Sequence, residues 1–279
     1  MNIGIRLHDT LPGTLKERLL FAKAQGFSCA HLALSKAVEG FSMAEAPERL
    51  TEDFAARVKA DFADTQMECA VLGCYLNLAD PDGENRRKTQ EIYRAHLRFA
   101  PMIGARVVGT ETHANPHSHF STPARENEDA YRLFMDSLKT VARFAEEENA
   151  ILAVEPVHDH IISTPERAER MLDEIKCDHV MIILDAVNLL SAEKAAHADD
   201  VIAEAIRRLG DRIMILHMKD YRVEEGKVRS TACGLGCMRY DRLLAFGRQR
   251  DLPMTLEDTK PDNAENARKF LENIAAGLY

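Results

Sequence analysis

The sequence predicts an α/β fold with a single domain over residues 1–279, in which eight parallel strands close into a (β/α)8 barrel. Three observations lead to this prediction. Apolar strand patterns and amphipathic helix patterns alternate eight times along the chain. Each of the last four strands ends in a carboxylate or a histidine. The length of 279 residues also suits a barrel of this kind, which typically needs about 250 residues.

The predicted elements are short apolar runs and, between them, stretches with helical periodicity. The strand signals lie at residues 3–7, 29–34, 69–76, 106–109, 151–155, 181–185, 213–220 and 253–257. The helical patterns lie near residues 14–25, 47–64, 84–102, 125–148, 165–176, 199–209, 239–250 and 263–275. Thr164 and Pro165 supply a cap and a first helical residue, and we expect Gly26, Gly104 and Gly210 to end helices.

Strict alternation of strands and helices requires a parallel sheet, which is either open or closed. In an open sheet, the ends of four strands lie along a line at about 4.8 Å per strand. Closure bends this line into an arc, so that the four side chains converge on one mouth. An open dinucleotide-binding fold also requires Gly-x-Gly-x-x-Gly after the first strand, and the segment from Leu7 to Gly13 lacks it. A closed barrel is therefore predicted.

Composition and charge restrict the partners of the chain. A formal net charge of −9 disfavours attraction to nucleic acid or to anionic membranes, because both need clustered positive charge. No apolar run approaches the length of about 20 residues that a spanning helix needs. Residues 1–6 have the pattern of a strand and not of a signal peptide. We therefore expect a cytoplasmic protein with small-molecule partners. A homo-oligomer stays open, since no helical stripe specifies a dimer.

Polar residues at the ends of the last four strands form a candidate metal site. Glu155, Asp185, His217 and Glu257 each follow an apolar run, and neighbouring members are separated by about one strand, one helix and a return loop. One nitrogen and several carboxylate oxygens suit a divalent Mn, Co, Mg or Zn ion. A single residue of this kind would more simply be a cap or a salt-bridge partner. Four in the same structural position predict one bound metal ion.

Several short motifs carry a resemblance to a known family: Val154-Glu155, Leu184-Asp185, His217-Met-Lys219-Asp220, Gly234-Leu-Gly236 with Tyr240-Asp241, and Leu256-Glu257. They are similar to those of the xylose isomerase-like TIM barrels, the sugar phosphate isomerase/epimerase group. The resemblance covers nearly the whole chain and is strongest from residue 150 onward. It implies that Glu155, Asp185, His217 and Glu257 bind one divalent metal ion, and that the two glutamates also move protons.

The activity that this resemblance implies is that of a metal-dependent isomerase or epimerase acting on a sugar or sugar phosphate. A metal ion chelated by a carbonyl and the neighbouring hydroxyl acidifies the adjacent C–H and stabilises a metal-bound enediolate. Glu155 and Glu257 would flank that carbon. Bases on both faces give epimerisation, whereas one base on one face gives aldose–ketose isomerisation. The sequence leaves both outcomes open.

Three positions depart from the pattern of the ketose 3-epimerases in this family. Those enzymes carry a glutamate, a histidine and an arginine where this chain has Ile161, Asn188 and Val223. The departures weaken a tagatose-type assignment and keep an inosose-dehydratase-like lyase as the alternative. A non-catalytic sugar-binding barrel is a further alternative. An endonuclease IV-like nuclease is disfavoured by Asn188, by the absence of Asp-x-His after His217 and by the acidic composition.

Other polar residues near the predicted mouth are candidates for substrate contact. They lie at or just after strand ends: His8, Tyr75, Glu111, His113, His158, His160, Asn188 and Lys219. For Lys219, a substrate-facing cation is favoured over a salt bridge with the next residue. His117 and His119 suggest a second metal site, although a solvated loop is the simpler interpretation. Gly234 and Gly236 indicate either a tight turn or a backbone site for phosphate.

Overall fold

Ten strands occur in the part of the chain that the computed structural model describes, residues 1–113 and 123–277. In chain order they are β1 (Ile3–Arg6), β2 (Cys29–Leu32), β3 (Glu68–Gly73), β4 (Val107–Glu111), β5 (Leu152–Glu155), β6 (Val180–Asp185), β7 (Ile213–Met218), β8 (Asp220–Glu224), β9 (Lys227–Thr231) and β10 (Met254–Leu256). All except β8 and β9 pair in parallel and close in the order β1-β10-β7-β6-β5-β4-β3-β2. The predicted α/β barrel is confirmed.

Helices separate the barrel strands, as the sequence pattern requires. In the described residues they are α1 (Leu15–Ala24), α2 (Leu34–Ala37), α3 (Ala46–Arg49), α4 (Glu52–Thr65), α5 (Gly83–Ile103), α6 (Glu128–Glu147), α7 (Pro165–Ile175), α8 (Ala192–Ala195), α9 (Ala198–Leu209), α10 (Asp241–Gln249) and α11 (Ala264–Ala275). Most bounds agree with the predicted ones to within a few residues. None of the helices in this part of the chain combines the length and the hydropathy that crossing a membrane requires.

Local signals explain where several helices begin and end. The Thr164 hydroxyl accepts a hydrogen bond from the Arg167 N–H, and Pro165 is the first residue of α7, as predicted. Gly26 and Gly104 have φ values of 86° and 73°, the left-handed conformation in which glycine ends a helix. Gly210 is the C-cap of α9, as predicted, but its φ of −50° and ψ of −40° are right-handed and lead into a short 3-10 turn.

Two predictions about the elements were wrong, and one pair of strands was missed. The helix predicted at 47–64 is broken into α3 and α4, because Thr51 is an N-cap whose side chain accepts a hydrogen bond from the Phe54 N–H. The strand predicted at 69–76 ends at Gly73. The sequence interpretation also missed the antiparallel hairpin of β8 and β9. Its turn has positive φ at both Glu225 and Gly226, which is the geometry of a tight hairpin turn.

Apolar side chains fill the barrel below its mouth. The inner cluster is made of small and branched residues from six strands: Cys29, Ala70, Val71, Val107, Ala153, Ile183 and Ile215. A larger cluster fills the layer between the strands and the helices. Charged side chains gather instead where the strands end, at their carboxyl ends, which is where barrels of this type place their sites.

Candidate metal centre and substrate cavity

The four predicted ligands lie at neighbouring strand ends and are buried. Glu155 and Asp185 are the last residues of β5 and β6, His217 is the penultimate residue of β7, and Glu257 directly follows β10. Their exposed fractions are 1%, 0%, 1% and 6%. Acidic side chains are rarely buried this completely unless they are paired or bind a cation. The closed sheet thus concentrates three carboxylates and an imidazole in one dry region.

The imidazole of His217 lies between two carboxylates. Its Nδ1 is 3.1 Å from Glu155 Oε2 and 3.3 Å from Glu257 Oε1. The amide of Asn188 holds the first carboxylate from the other side, because its Nδ2 donates a 2.6 Å hydrogen bond to Glu155 Oε1. Three of the four predicted residues are therefore in direct contact, with His217 between Glu155 and Glu257.

Lys219 lines the cavity, where the favoured interpretation places it, and its ammonium is also paired with carboxylates of the cluster. Its ammonium lies 2.9 Å from Asp185 Oδ2 and 3.3 Å from Glu257 Oε2, and its side chain is 7% exposed. It therefore pairs with the acidic cluster and not with Asp220, while it also lines the neighbouring cavity. A buried cation beside three carboxylates offsets part of their mutual repulsion.

Several buried polar atoms in this cluster have no hydrogen-bond partner among the described residues, and they fit a cation. They are Glu155 Oε2, Asp185 Oδ2 and both ring nitrogens of His217. Asp185 Oδ2 is within ionic distance of Lys219, and Glu155 Oε2 is within ionic distance of His217 Nδ1, but both contacts lack hydrogen-bond geometry. Glu155, Asp185 and His217 each offer one potential ligand atom, and these three atoms lie within 4.8 Å of one another. Ligands on opposite sides of one ion are at most about 5 Å apart, since metal–ligand bonds are near 2.0–2.6 Å.

Burial and neighbouring charges shift the pKa values of the side chains in the cluster. Burial raises the pKa of Asp185 to about 6, even though Lys219 opposes the shift. Burial lowers the pKa of His217, but the carboxylates of Glu257 and Glu155 outweigh it and raise the pKa to about 9. For Glu257, burial raises the pKa, and the positive charges of His217, Lys219 and Arg6 bring it well below its usual range. The cluster thus retains ionised carboxylates that can bind a divalent cation.

Two residues near the cluster were missed in the sequence. His31 on β2 is 2% exposed, stacks on the His217 ring at 5.4 Å and places its Nδ1 3.8 Å from Glu257 Oε1. His31, His217 and Glu257 form a second group of potential metal ligands. Arg6, the last residue of β1, lies 3.5 Å from Glu257 Oε2. The rule that polar residues at strand ends are functional would have found Arg6, whereas His31 is hidden inside an apolar run that continues to Leu34.

A cavity of about 520 Å³ opens beside the cluster, a size typical of small-molecule sites. Its polar lining includes five of the predicted substrate-contact residues: His8, Tyr75, Glu111, Asn188 and Lys219. His113, His158 and His160 do not line it. Burial and the charge of Glu155 raise the pKa of Glu111 to about 8. Glu111 therefore ionises at a higher pH than Glu257.

The three predicted histidines that do not line the cavity contact other groups near it. His113 has a positive φ of 57° and stacks on His160 at 5.9 Å, and His160 Nδ1 lies 3.6 Å from Glu111 Oε2. His158 lies 3.5 Å from Asp159 and lines a neighbouring concavity. The suggested pair His117 and His119 lies outside the described residues.

The glycine loop between β9 and α10 binds a carboxylate of the chain itself. Asp220 accepts hydrogen bonds from the backbone N–H groups of Tyr221, Gly234 and Met238, at 2.8, 3.0 and 2.7 Å. A side chain at Gly236 would collide with the Tyr221 carbonyl and with Asp220. The loop is therefore a tight turn around Asp220, and the donors that a phosphate would need there are already used.

Comparison with known proteins places the whole architecture in one family. The sequence model of the family described as "Xylose isomerase-like TIM barrel" matches residues 20–274. A D-psicose 3-epimerase from Enterocloster bolteae is 26% identical over 145 residues. That alignment covers 51% of this chain but only 46% of the epimerase, so the chain matches about half of its relative.

Two solved structures extend the comparison to the full chain. The 3-keto-D-glucoside 4-epimerase of E. coli has a TM-score of 0.76 and 17% identity, over 98% of this chain and 99% of that one. The IOLI protein, whose structure contains a bound zinc atom, has a TM-score of 0.73 and 15% identity, over 100% of this chain and 98% of that one. At these identities the likeness establishes a shared fold.

Proposed function

Because this chain belongs to the xylose isomerase-like TIM-barrel family, we propose that it is a divalent-metal-dependent isomerase or epimerase of a sugar or sugar phosphate. The observation that carries the proposal is the pair of buried carboxylates of Glu155 and Glu257. They lie 3.1 and 3.3 Å from the same nitrogen of His217, and Glu257 lines the cavity. Two carboxylates that face one position are what proton transfer to and from a single carbon requires.

The names of the relatives support this class of reaction. One is a D-psicose 3-epimerase and another a 3-keto-D-glucoside 4-epimerase. In the second, the inverted carbon is next to the carbonyl carbon, where a C–H is acidic enough for a carboxylate to remove its proton. An activity of this type needs two proton-transferring groups and a means to stabilise the negative charge on the enediolate oxygen.

The residues of this chain meet those needs in different ways. Glu155, Asp185, His217 and Glu257 would hold the metal ion, which when bound polarises the substrate carbonyl and stabilises negative charge on its oxygen. Glu257 is ionised and lines the cavity, so it is placed to take a proton from the carbon beside that carbonyl. Glu155, oriented by the Asn188 amide, would return a proton from the other face of that carbon. This two-base arrangement supports epimerisation over one-base isomerisation.

The surroundings of the site support a substrate other than a tagatose-type ketose. Ile161 is completely buried, Val223 is 49% exposed on the hairpin, and Asn188 is hydrogen-bonded to Glu155. None of these three replaces the acid, imidazole or guanidinium that ketose 3-epimerases carry at the matching positions. Much of the polar lining of the cavity comes from the side of β1 to β4, including Arg6, His31, Tyr75 and Glu111.

The proposal is tested by exchange of substrate hydrogen with solvent. Protein loaded with Mn, Co, Mg or Zn is incubated in deuterium oxide with ketoses, aldoses, keto-glycosides and their phosphate esters, and deuterium is located by NMR. We expect Glu257→Gln to lower the exchange rate by about 10²- to 10⁴-fold, because a general base is lost. Glu111→Gln, a matched change in the same cavity, is expected to alter KM and to retain exchange.

The outcomes separate the alternatives. Wild-type exchange in Glu257→Gln would show that the two-glutamate mechanism is wrong. Loss of water from the product would assign the dehydratase reaction, which uses the same proton abstraction followed by departure of a hydroxyl. Sugar binding without exchange by the metal-loaded wild-type protein would favour the non-catalytic sugar-binding barrel.

A further inference from the structure

The cavity reaches from the acidic cluster to the opposite side of the barrel mouth. Asp185 ends β6, and in the closed strand order β6 lies across the barrel from β2. The segment that follows β2 contributes Ser35 and Lys36 to the cavity lining, and the turn after β1 contributes His8. Glu257 follows β10, which pairs with β1, so His8 lies after the neighbouring strand, and Ser35 and Lys36 follow β2, one strand farther on. A substrate whose reacting carbon lies beside Glu257 can therefore extend along this wall toward these three residues.

Three cations line the cavity, and they differ in what surrounds them. Lys219 is paired with Asp185 and Glu257. Arg6 is held 3.0 Å from both Asp9 and Asp258. Lys36 has no ion pair within residues 1–113 and 123–277, and its side chain is exposed to the cavity. Its charge is thus available to a ligand, while the other two are already partly neutralised.

The neighbouring histidine adds a ring nitrogen without a hydrogen-bond partner in the described residues to the same wall. This atom is His8 Nδ1, which is buried. Burial, followed by the positive charges of Arg6 and Lys36, lowers the pKa of His8 to about 3. The ring lines the cavity, and it can donate a hydrogen bond from one nitrogen to an anion that Lys36 attracts.

We propose that Lys36, with the Ser35 hydroxyl and the His8 ring, binds an anionic group, a phosphate ester or a carboxylate, at the end of the substrate remote from the reacting carbon. The inference rests on the proposed function, because it takes the reacting carbon to lie beside Glu257. The inference also agrees with the hydrogen bonds of the glycine loop after β9. Barrels often bind phosphate near that position, but here Asp220 already occupies the backbone donors.

The test compares three sugars that differ only at their terminal carbon: a neutral ketose, its terminal phosphate ester and its terminal carboxylate. Binding to metal-loaded protein is measured by calorimetry. We expect one or both anionic sugars to bind at least about tenfold more tightly than the neutral ketose, as one charge-assisted contact provides. Lys36→Met should remove this preference and leave the Kd of the neutral ketose unchanged. Lys59→Met, an exposed lysine on α4 outside the cavity, should retain the preference.

The phosphate and carboxylate arms identify the group that is recognised. Equal binding of all three sugars, no binding of any, or an unchanged preference in Lys36→Met would overturn the inference. Deuterium exchange on the same samples keeps the two proposals apart. A Lys36-dependent preference without exchange in the wild-type protein would contradict the proposed function and leave the anion site supported.

Discussion

The two halves of the barrel mouth differ in the charges of their side chains. The acidic half consists of the ends of β5, β6, β7 and β10, and the mixed half consists of the ends of β1 to β4. His217 in the acidic half has its pKa raised to about 9 by carboxylates, in spite of its burial. His8 in the mixed half has its pKa lowered to about 3 by burial and nearby cations. The acidic half thus fits the proposed cation, and the mixed half fits the proposed binding of neutral or anionic parts of a substrate.

The largest effect that separates the two halves is expected from Lys219→Met. This change leaves Asp185 and Glu257 without the ammonium that now lies 2.9 and 3.3 Å away. We expect metal-free protein to lose about 3–5 kcal/mol of unfolding free energy, because breaking a buried ion pair leaves an uncompensated charge. Saturation with a divalent metal should shrink the difference from wild type, because the ion replaces the missing positive charge. Urea unfolding with and without metal measures both quantities.

The same substitution in the mixed half is the control. Lys36 is exposed and makes no ion pair in the described residues, so Lys36→Met should change stability by less than about 0.5 kcal/mol with or without metal. Equal destabilisation of Lys219→Met in the metal-free and metal-loaded states would contradict a cation site in the acidic half.

The acidic half is also the part of the site that the sequence predicted well. Glu155, Asp185 and His217 end runs of apolar residues, and a short unbroken apolar run is typical of a central parallel strand that is buried on both faces. Once the strands are assigned, barrel closure brings their ends together. The convergence of these residues therefore follows from a pattern that repeats along the chain.

Three features were harder to predict, because local geometry and not strand order determines them. His31 is followed by three more apolar residues, so nothing in the pattern marks it as a strand end. The hairpin of β8 and β9 is polar and exposed, which makes its strands resemble a loop. The partner of Lys219 depends on side-chain direction across three strands, which strand assignment alone does not fix.

A smaller effect is expected from a histidine behind the mixed half. His96 in α5 is fully buried, and burial lowers its pKa to about 4, although a contact with the Ile92 carbonyl opposes the shift. Since the folded pKa lies below the unfolded one, stability is complete above about pH 6.5 and falls as the pH drops toward 4. At pH 5 this single group should lower the free energy of unfolding by about 2 kcal/mol. In His96→Leu, the free energy of unfolding should fall by a correspondingly smaller amount between pH 7 and 5. Urea titrations at each pH measure this change. Parallel pH profiles for the variant and the wild type would show that burial there does not lower the pKa.

The smallest effect concerns substrate contact in the mixed half. The Tyr75 hydroxyl lines the cavity and lies 3.3 Å from His31 Nε2, at the long end of the hydrogen-bond range. Tyr75→Phe should raise KM by about 2- to 10-fold through loss of one neutral hydrogen bond, while kcat for deuterium exchange stays near wild type. Tyr93→Phe provides the matched control, because that hydroxyl bonds the Leu76 carbonyl and Thr110 behind the cavity, and its loss should lower stability instead of KM. A fall in kcat for Tyr75→Phe as large as that for Glu257→Gln would mean that chemistry and recognition are not divided between the two halves of the mouth.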